Sequence, residues 1–233
     1  MFKQKELNTF DPEKSGNNYM MKKGQVIFHE GFPASNLIII VEGVVKLHKD
    51  TPFKTSSILD IRHNGDVIGM EATSDGNKYF STASAFTDCE ILVLDKSALS
   101  FVKTNNQKEY DAFIHNSMLN IITSLNNRIF FLRDLNAQAK IAYMLLLFSN
   151  NHSKDPNQII FSREEFSELA EVSRETASRE LSILKKKKIL KISGRKIEII
   201  NKELLQSLLN NLEIPFIKEW DEEMKNSIRI FKD

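Results

Sequence analysis

The stretch 171-EVSRETASREL-181 decides how this chain is read. Ala177, Leu181 and Leu184 recur at steps of four and three residues, the apolar face of a helix. Arg174, Glu175, Ser178 and Arg179 fall largely on the other side, near the helix start, and Ser173 just before them is a good N-cap. Upstream, 162-SREEFSELA-170 opens with Ser162 and, three residues on, Glu165, a capping-box signature that starts another helix. Downstream, 189-ILKI-192 and 196-KIEII-200 flank 193-SGR-195 and read as a hairpin. Helix, tight turn, helix, hairpin is the order of a winged helix-turn-helix.

In such a unit the start of the second helix enters the DNA major groove. Arginine can donate two hydrogen bonds to guanine O6 and N7, and glutamate can accept one from cytosine N4. A glutamate facing a polyanion is otherwise costly, so Glu175 between two arginines points to base reading rather than phosphate contact. Lys185, Lys186, Lys187 and Lys188 follow, then Lys191, Arg195 and Lys196, with no acid between residues 181 and 197. Alone, that run would be a solvated face; beside a helix-turn-helix it is a phosphate anchor. The chain as a whole is nearly neutral, at +1, so the case for DNA rests on this local charge.

Working outward, seven glycines crowd the first third, and only Gly194 lies beyond. Short apolar runs sit between them: 25-QVIF-28, 37-LIIIV-41, 44-VVKLH-48, 57-SILDI-61, 67-VI-68 and 90-EILVL-94. That punctuation predicts a β-sandwich or barrel over about residues 20–97. From Asn106 to Leu135 there is no glycine or proline, and Ile114, Met118, Ile121, Leu125, Ile129 and Leu132 form one helical stripe. A narrow stripe on a long helix suits pairing with a second copy, although the helix could instead lie on the β domain. Phe113, Ile122, Phe130 and Phe131 suggest both. A further helix follows from about Ala137 to Ser149, then a polar break at 150-NNHSKDPNQ-158. The expected organisation is α+β: a β-roll over 1–103, a dimerisation helix over 104–136, and a winged helix-turn-helix with a C-terminal extension over 137–233.

A single cysteine, Cys89, excludes an internal disulfide framework and a multi-cysteine cluster within one chain. Its neighbours Asp88 and Glu90 disfavour a thiolate, which predicts a buried, inert thiol. The start of the chain has no apolar signal core, and no window nears the roughly 20 apolar residues of a membrane span. A cytoplasmic protein is expected. Catalytic patterns such as HExxH, a P-loop or GxGxxG are missing from the sequence, so no enzyme and no metal site is expected.

The chain resembles the Crp/Fnr family of bacterial transcription regulators. The resemblance rests on 22-KKGQVIFHEG-31 with 42-EGVVKL-47, on 65-GDVIG-69 with 88-DCEILVL-94, and most specifically on 163-REEFSELAEVSRETASREL-181. The family's recognition-helix motif has the form E-x-x-S-R or R-E-T-x-x-R, met here by Glu175, Ser178 and Arg179 and by Arg174, Glu175 and Arg179. The resemblance implies a homodimer on an inverted-repeat DNA site, with RNA polymerase and a small-molecule effector as further partners.

The best-known members bind cyclic AMP in the β-roll, through G-E followed some ten residues on by an arginine that compensates the buried phosphate. The corresponding pocket here is Gly69, Met70, Glu71, Ser81 and Thr82. Met70 stands where the glutamate belongs, Ser81 and Thr82 occupy the arginine region, and residues 64–94 contain no arginine. Classical cyclic-nucleotide binding is not expected, and the cofactor is left open. Glu171 replaces the usual glycine or small residue of the helix-turn-helix, which predicts a wider turn. Residues 202–233 extend past the wing, with 203-ELLQSLLNNL-212 as an amphipathic helix. The rival reading is a ligand-binding β-roll module with no DNA role, against which the recognition helix argues.

Overall fold

The computed structural model describes residues 16–51, 54–151 and 158–209. Its contacts divide the chain into two compact units, the first reaching Ile122 and the second beginning at Thr123.

The first unit contains strands β1 (Asn17–Met21), β2 (Val26–Phe28), β3 (Asn36–Glu42), β4 (Val45–Thr51), β5 (Lys54–Arg62), β6 (Val67–Ile68), β7 (Thr82–Ala85) and β8 (Cys89–Asp95). They form two antiparallel sheets, ordered β1-β8-β3-β6 and β2-β7-β4-β5. One core lies between the sheets and joins Ile38, Ile40 and Ile91 to Phe28, Val45, Ala83 and Ala85. Leu37, Ile39, Leu92 and Leu94 point the other way, onto Leu99, Val102, Tyr110 and Phe113. That double burial explains why 37-LIIIV-41 is continuously apolar rather than alternating. The expected β-roll is present. β1 and β7 were not legible as strands, because 17-NNYMM-21 and 82-TASA-85 carry few of the β-branched or aromatic residues that mark one.

Two helices follow. α1 (Lys96–Asn105) is capped by Asp95, whose side chain accepts the Ala98 N–H, and lies outside the elements expected from the sequence. α2 (Gln107–Asp134) is 28 residues long and matches the expected long helix. Its buried line runs Tyr110, Phe113, Ser117, then Ser124, Arg128 and Phe131. The expected apolar stripe lies beside that line. Ile114, Ile121 and Leu132 are half-buried, whereas Met118, Leu125 and Ile129 are exposed, together with Leu119, Ile122 and Phe130.

The second unit contains α3 (Ala137–Asn151), β9 (Gln158–Ile160), α4 (Arg163–Ala170), α5 (Arg174–Lys186), β10 (Leu190–Ser193), β11 (Lys196–Ile199) and α6 (Lys202–Ser207). α3 packs against α4, α5 and α6, and Ile141, Leu145 and Phe148 are fully enclosed. Phe161 meets Phe148 and Phe166 edge-to-face. The wing is a three-stranded sheet, β10-β11-β9, rather than a hairpin alone. β9 begins where the polar break was expected to end; three residues are too few to show a period, and pairing with β11 draws them into the sheet. The middle of that break and the chain beyond residue 209, including part of the expected amphipathic helix, lie outside the described residues. Among the described residues no helix is long and apolar enough to cross a membrane.

Candidate nucleic-acid interface

The helix-turn-helix is built by local chemistry. Ser162 Oγ accepts the Glu165 N–H at 3.2 Å and Glu165 Oε2 accepts the Ser162 N–H at 2.6 Å, so the capping box is closed in both directions. Ser173 Oγ likewise accepts the Thr176 N–H at 3.1 Å and starts α5. Residues 171–173 are all that separate α4 from α5, so the turn is tight and not widened. Glu171 achieves this by adopting the left-handed conformation, φ 48° and ψ 50°, that a glycine would take at no steric cost.

Ala177, Leu181 and Leu184 are buried, as the spacing predicts, and this sets the outward face of α5. Arg174, Glu175 and Arg179 are exposed there and Ser178 is half-buried. Hydrogen bonds from its own backbone N–H and from the Ser173 hydroxyl, with a smaller pull from Arg174, hold the Glu175 carboxyl below the usual carboxylate range. It is therefore an ionised, acceptor-only group, the form that can accept a hydrogen bond from a cytosine N4 amino group. Arg179 Nε sits 3.3 Å from Glu180 Oε1, and Gln138 of α3 donates to the other oxygen of that carboxylate at 3.3 Å. The buried Glu180 so steadies an otherwise exposed arginine.

Arg163 is not among the residues to which the sequence points. Its Nη1 donates to Ser178 Oγ at 2.9 Å, bringing a third guanidinium to the same face from the first turn of α4. Its position at the helix start offered no sequence signal, because only the crossing of α4 and α5 brings it to Ser178. Lys185, Lys186, Lys187 and Lys188 are all exposed at the far end of α5, where Lys185 Nζ reaches the Ile192 carbonyl at 3.4 Å. Lys188 takes a positive φ of 58° as the chain turns into β10. Arginines therefore lie at one end of the exposed face of α5 and lysines at the other, with the Glu175 carboxylate among the arginines.

The β-roll holds the residues that correspond to an effector pocket. Gly69 has φ 75°, and a Cβ there would lie 2.7 Å from the Asn36 carbonyl oxygen, so only glycine fits. Met70 and Glu71 begin a short 3₁₀ turn, and Glu71 Oε1 accepts the Phe80 N–H at 3.0 Å. Ser81 and Thr82 are buried, and Thr82 Oγ1 accepts the Glu30 N–H at 3.1 Å. Tyr79 stacks on Phe28 with ring centroids 3.9 Å apart.

The guanidinium that the roll does contain comes from elsewhere. Arg62 pairs across the sheet with Val45, and Asp60 with Leu47, which places both on the face that carries Val45 into the core. Arg62 Nη2 and Asp60 Oδ2 are 2.5 Å apart, with the residues 3% and 4% exposed. The charge is thus already neutralised by the chain's own carboxylate. A cyclic phosphate would find a serine and a threonine where it needs a guanidinium, and the residues present do not fit that ligand. Cys89 is buried, and desolvation, more than the neighbouring Asp88, raises its thiol above the ordinary value. It has the character of a core residue rather than a reactive one.

Comparison with known proteins agrees with this geometry. A cyclic nucleotide-binding domain model matches residues 20–105 and a Crp-like helix-turn-helix domain model matches residues 139–208. A CRP-like cAMP-activated global transcriptional regulator of Mycobacterium tuberculosis is 23% identical over 189 residues, covering 78% of this chain and 84% of that protein. Electron transport regulator A of Shewanella oneidensis is 26% identical over 203 residues, covering 83% and 79%. Among solved structures, a CRP-family transcriptional regulator from Thermus thermophilus superposes with a TM-score of 0.72 at 20% identity, covering 82% of this chain and 96% of that one. FixK2 of Bradyrhizobium japonicum gives 0.70 at 22% identity, covering 83% and 96%. With both characteristic domains in the same order, the chain belongs to the Crp/Fnr family and is a DNA-binding transcription regulator.

Proposed function

We propose that this regulator acts as a homodimer on an inverted-repeat site, reading bases with Arg174, Glu175, Ser178 and Arg179 and phosphates with Lys185, Lys186, Lys187 and Lys188. The observation that carries the dimer is the exposed apolar flank of α2. Met118, Leu125 and Ile129 are 46%, 43% and 53% exposed in the single chain. A second α2 along that flank would remove them from water and set two recognition helices about one turn of DNA apart. Once on DNA, such a dimer would offer its surface to RNA polymerase.

The M. tuberculosis relative is described as cAMP-activated. In this chain Ser81 and Thr82 stand in the phosphate region, and Arg62 is held by Asp60. An effector, if one gates the protein, is therefore of a different kind, and it acts only by preferring one dimer geometry over another. The test is selection from random duplex DNA with purified, ligand-free protein, followed by titration of the enriched duplex. A strong inverted repeat is expected. Arg179→Ala should lose about 1–3 kcal/mol of discrimination at one position of each half-site; unchanged discrimination would remove Arg179 from the reading set.

A further inference from the structure

We propose that Arg128, on the C-terminal half of α2, is a positioning residue for DNA recognition: it holds Glu171 in the left-handed conformation that sets where α5 begins. This rests on α5 being the recognition helix.

The geometry is specific. Arg128 is 7% exposed, and its guanidinium lies 4.9 Å from the ring centre of Phe131. Nη2 donates to Glu171 Oε1 at 2.7 Å and Nη1 to the Leu169 carbonyl at 3.4 Å. One side chain so touches both the last turn of α4 and the first residue of the turn that follows. The cation also complements the partial negative charge at the end of α4.

Glu171 needs such support. A side chain at positive φ is disfavoured by contact between its Cβ and the backbone, and glycine avoids that contact. Residues 171–173 connect the two helices, so a rotation at Glu171 swings the start of α5, where Arg174 and Glu175 sit. Arg128 offsets the strain by an ion pair with little exposure on its own side, where water competes least. Its neighbour on α2 is the exposed Ile129. The residue that grips the turn is therefore one position from the flank assigned to the partner helix.

The experiment is a double-mutant cycle in the full chain. Arg128→Met, Glu171→Gly and the double variant are titrated with two duplexes, the one enriched from random DNA and a random-sequence duplex of equal length. Arg128→Met should weaken binding to the enriched duplex by roughly 3- to 30-fold, in the range of coupled neighbours. Glu171→Gly should bind as the parent does, and adding Arg128→Met to it should then cost less than about 3-fold. Random-duplex affinity should be unchanged throughout, because phosphate contact does not depend on the angle of α5 to the same degree.

An equal loss from Arg128→Met in both backgrounds overturns the proposal, as does an equal loss on both duplexes or no loss. If Arg128→Met fails to fold, Glu171→Ala takes its place, since it keeps the strain and removes the carboxylate. It should bind the enriched duplex more weakly than Glu171→Gly, and equal binding overturns the proposal. Arg179→Ala runs alongside as a control. If it too leaves binding unchanged, the reading of α5 has failed rather than the role of Arg128.

Discussion

Asp60 and Arg62 put opposite full charges into the interior of the β-roll, where neither would be tolerated alone. Removing Asp60 leaves Arg62 buried without its counter-ion, and Asp60→Ala should destabilise the protein by about 3–5 kcal/mol. Asp60→Ala with Arg62→Met should recover most of that loss, because two apolar groups replace a pair rather than half of one. Urea titration of the three proteins checks both statements. His63, the next residue, offers a pH test. Desolvation, assisted by Arg62, lowers its pKa from 6.5 to about 3. The unfolded chain therefore takes up a proton below pH 6.5 that the folded protein refuses until about pH 3. Stability from this group is fully present above pH 6.5 and is lost as the pH falls toward 3. Asp66, which burial pushes upward, titrates in the opposite sense but is common to both proteins in a comparison with His63→Gln. The stability advantage of the parent over His63→Gln should shrink steadily between about pH 7 and about pH 4 in denaturant titrations.

At the scale of elements, α4 has only eight residues, too few to be helical on propensity alone, so its closed capping box matters. Ser162→Ala should cost about 1 kcal/mol, read as a lowered urea midpoint with unchanged slope. The same box was visible in the sequence, because capping joins residues three apart. The stripe of α2 was visible too, but not its division of labour. Periodicity marks a wide apolar arc; which edge meets the β-roll and which stays open depends on where β3 and β8 present Leu37, Ile39, Leu92 and Leu94. β9 shows the opposite case, an element with almost no local signal that exists because β11 is there to pair with it.

For the whole molecule, the exposed flank of α2 makes a prediction about assembly. Leu125→Glu alters a side chain 43% exposed in the single chain, so each chain should still fold. A charge on the flank should nevertheless separate the two copies, giving a monomer by light scattering. Loss of the second half-site should lower affinity for an inverted repeat by roughly 10²- to 10⁴-fold. A dimer that persists in Leu125→Glu would place the two-fold contact elsewhere.

The sequence by itself determined the kinds of element, their order and the outward face of the recognition helix. Caps, turn glycines and the step from Ala177 to Leu181 to Leu184 act within one or two helical turns, so they are written in neighbouring residues. Only the tertiary structure decided that Arg62 meets Asp60 inside the roll, that Arg163 reaches Ser178, and that Arg128 supports Glu171. Asp60 and Arg62 are near neighbours in the chain, but their burial together depends on the opposing strands. The other two pairs join residues 15 and 43 positions apart. The wider turn expected at Glu171 failed for the same reason: the cost of its left-handed backbone is local, whereas the charge that offsets it comes from a distant helix.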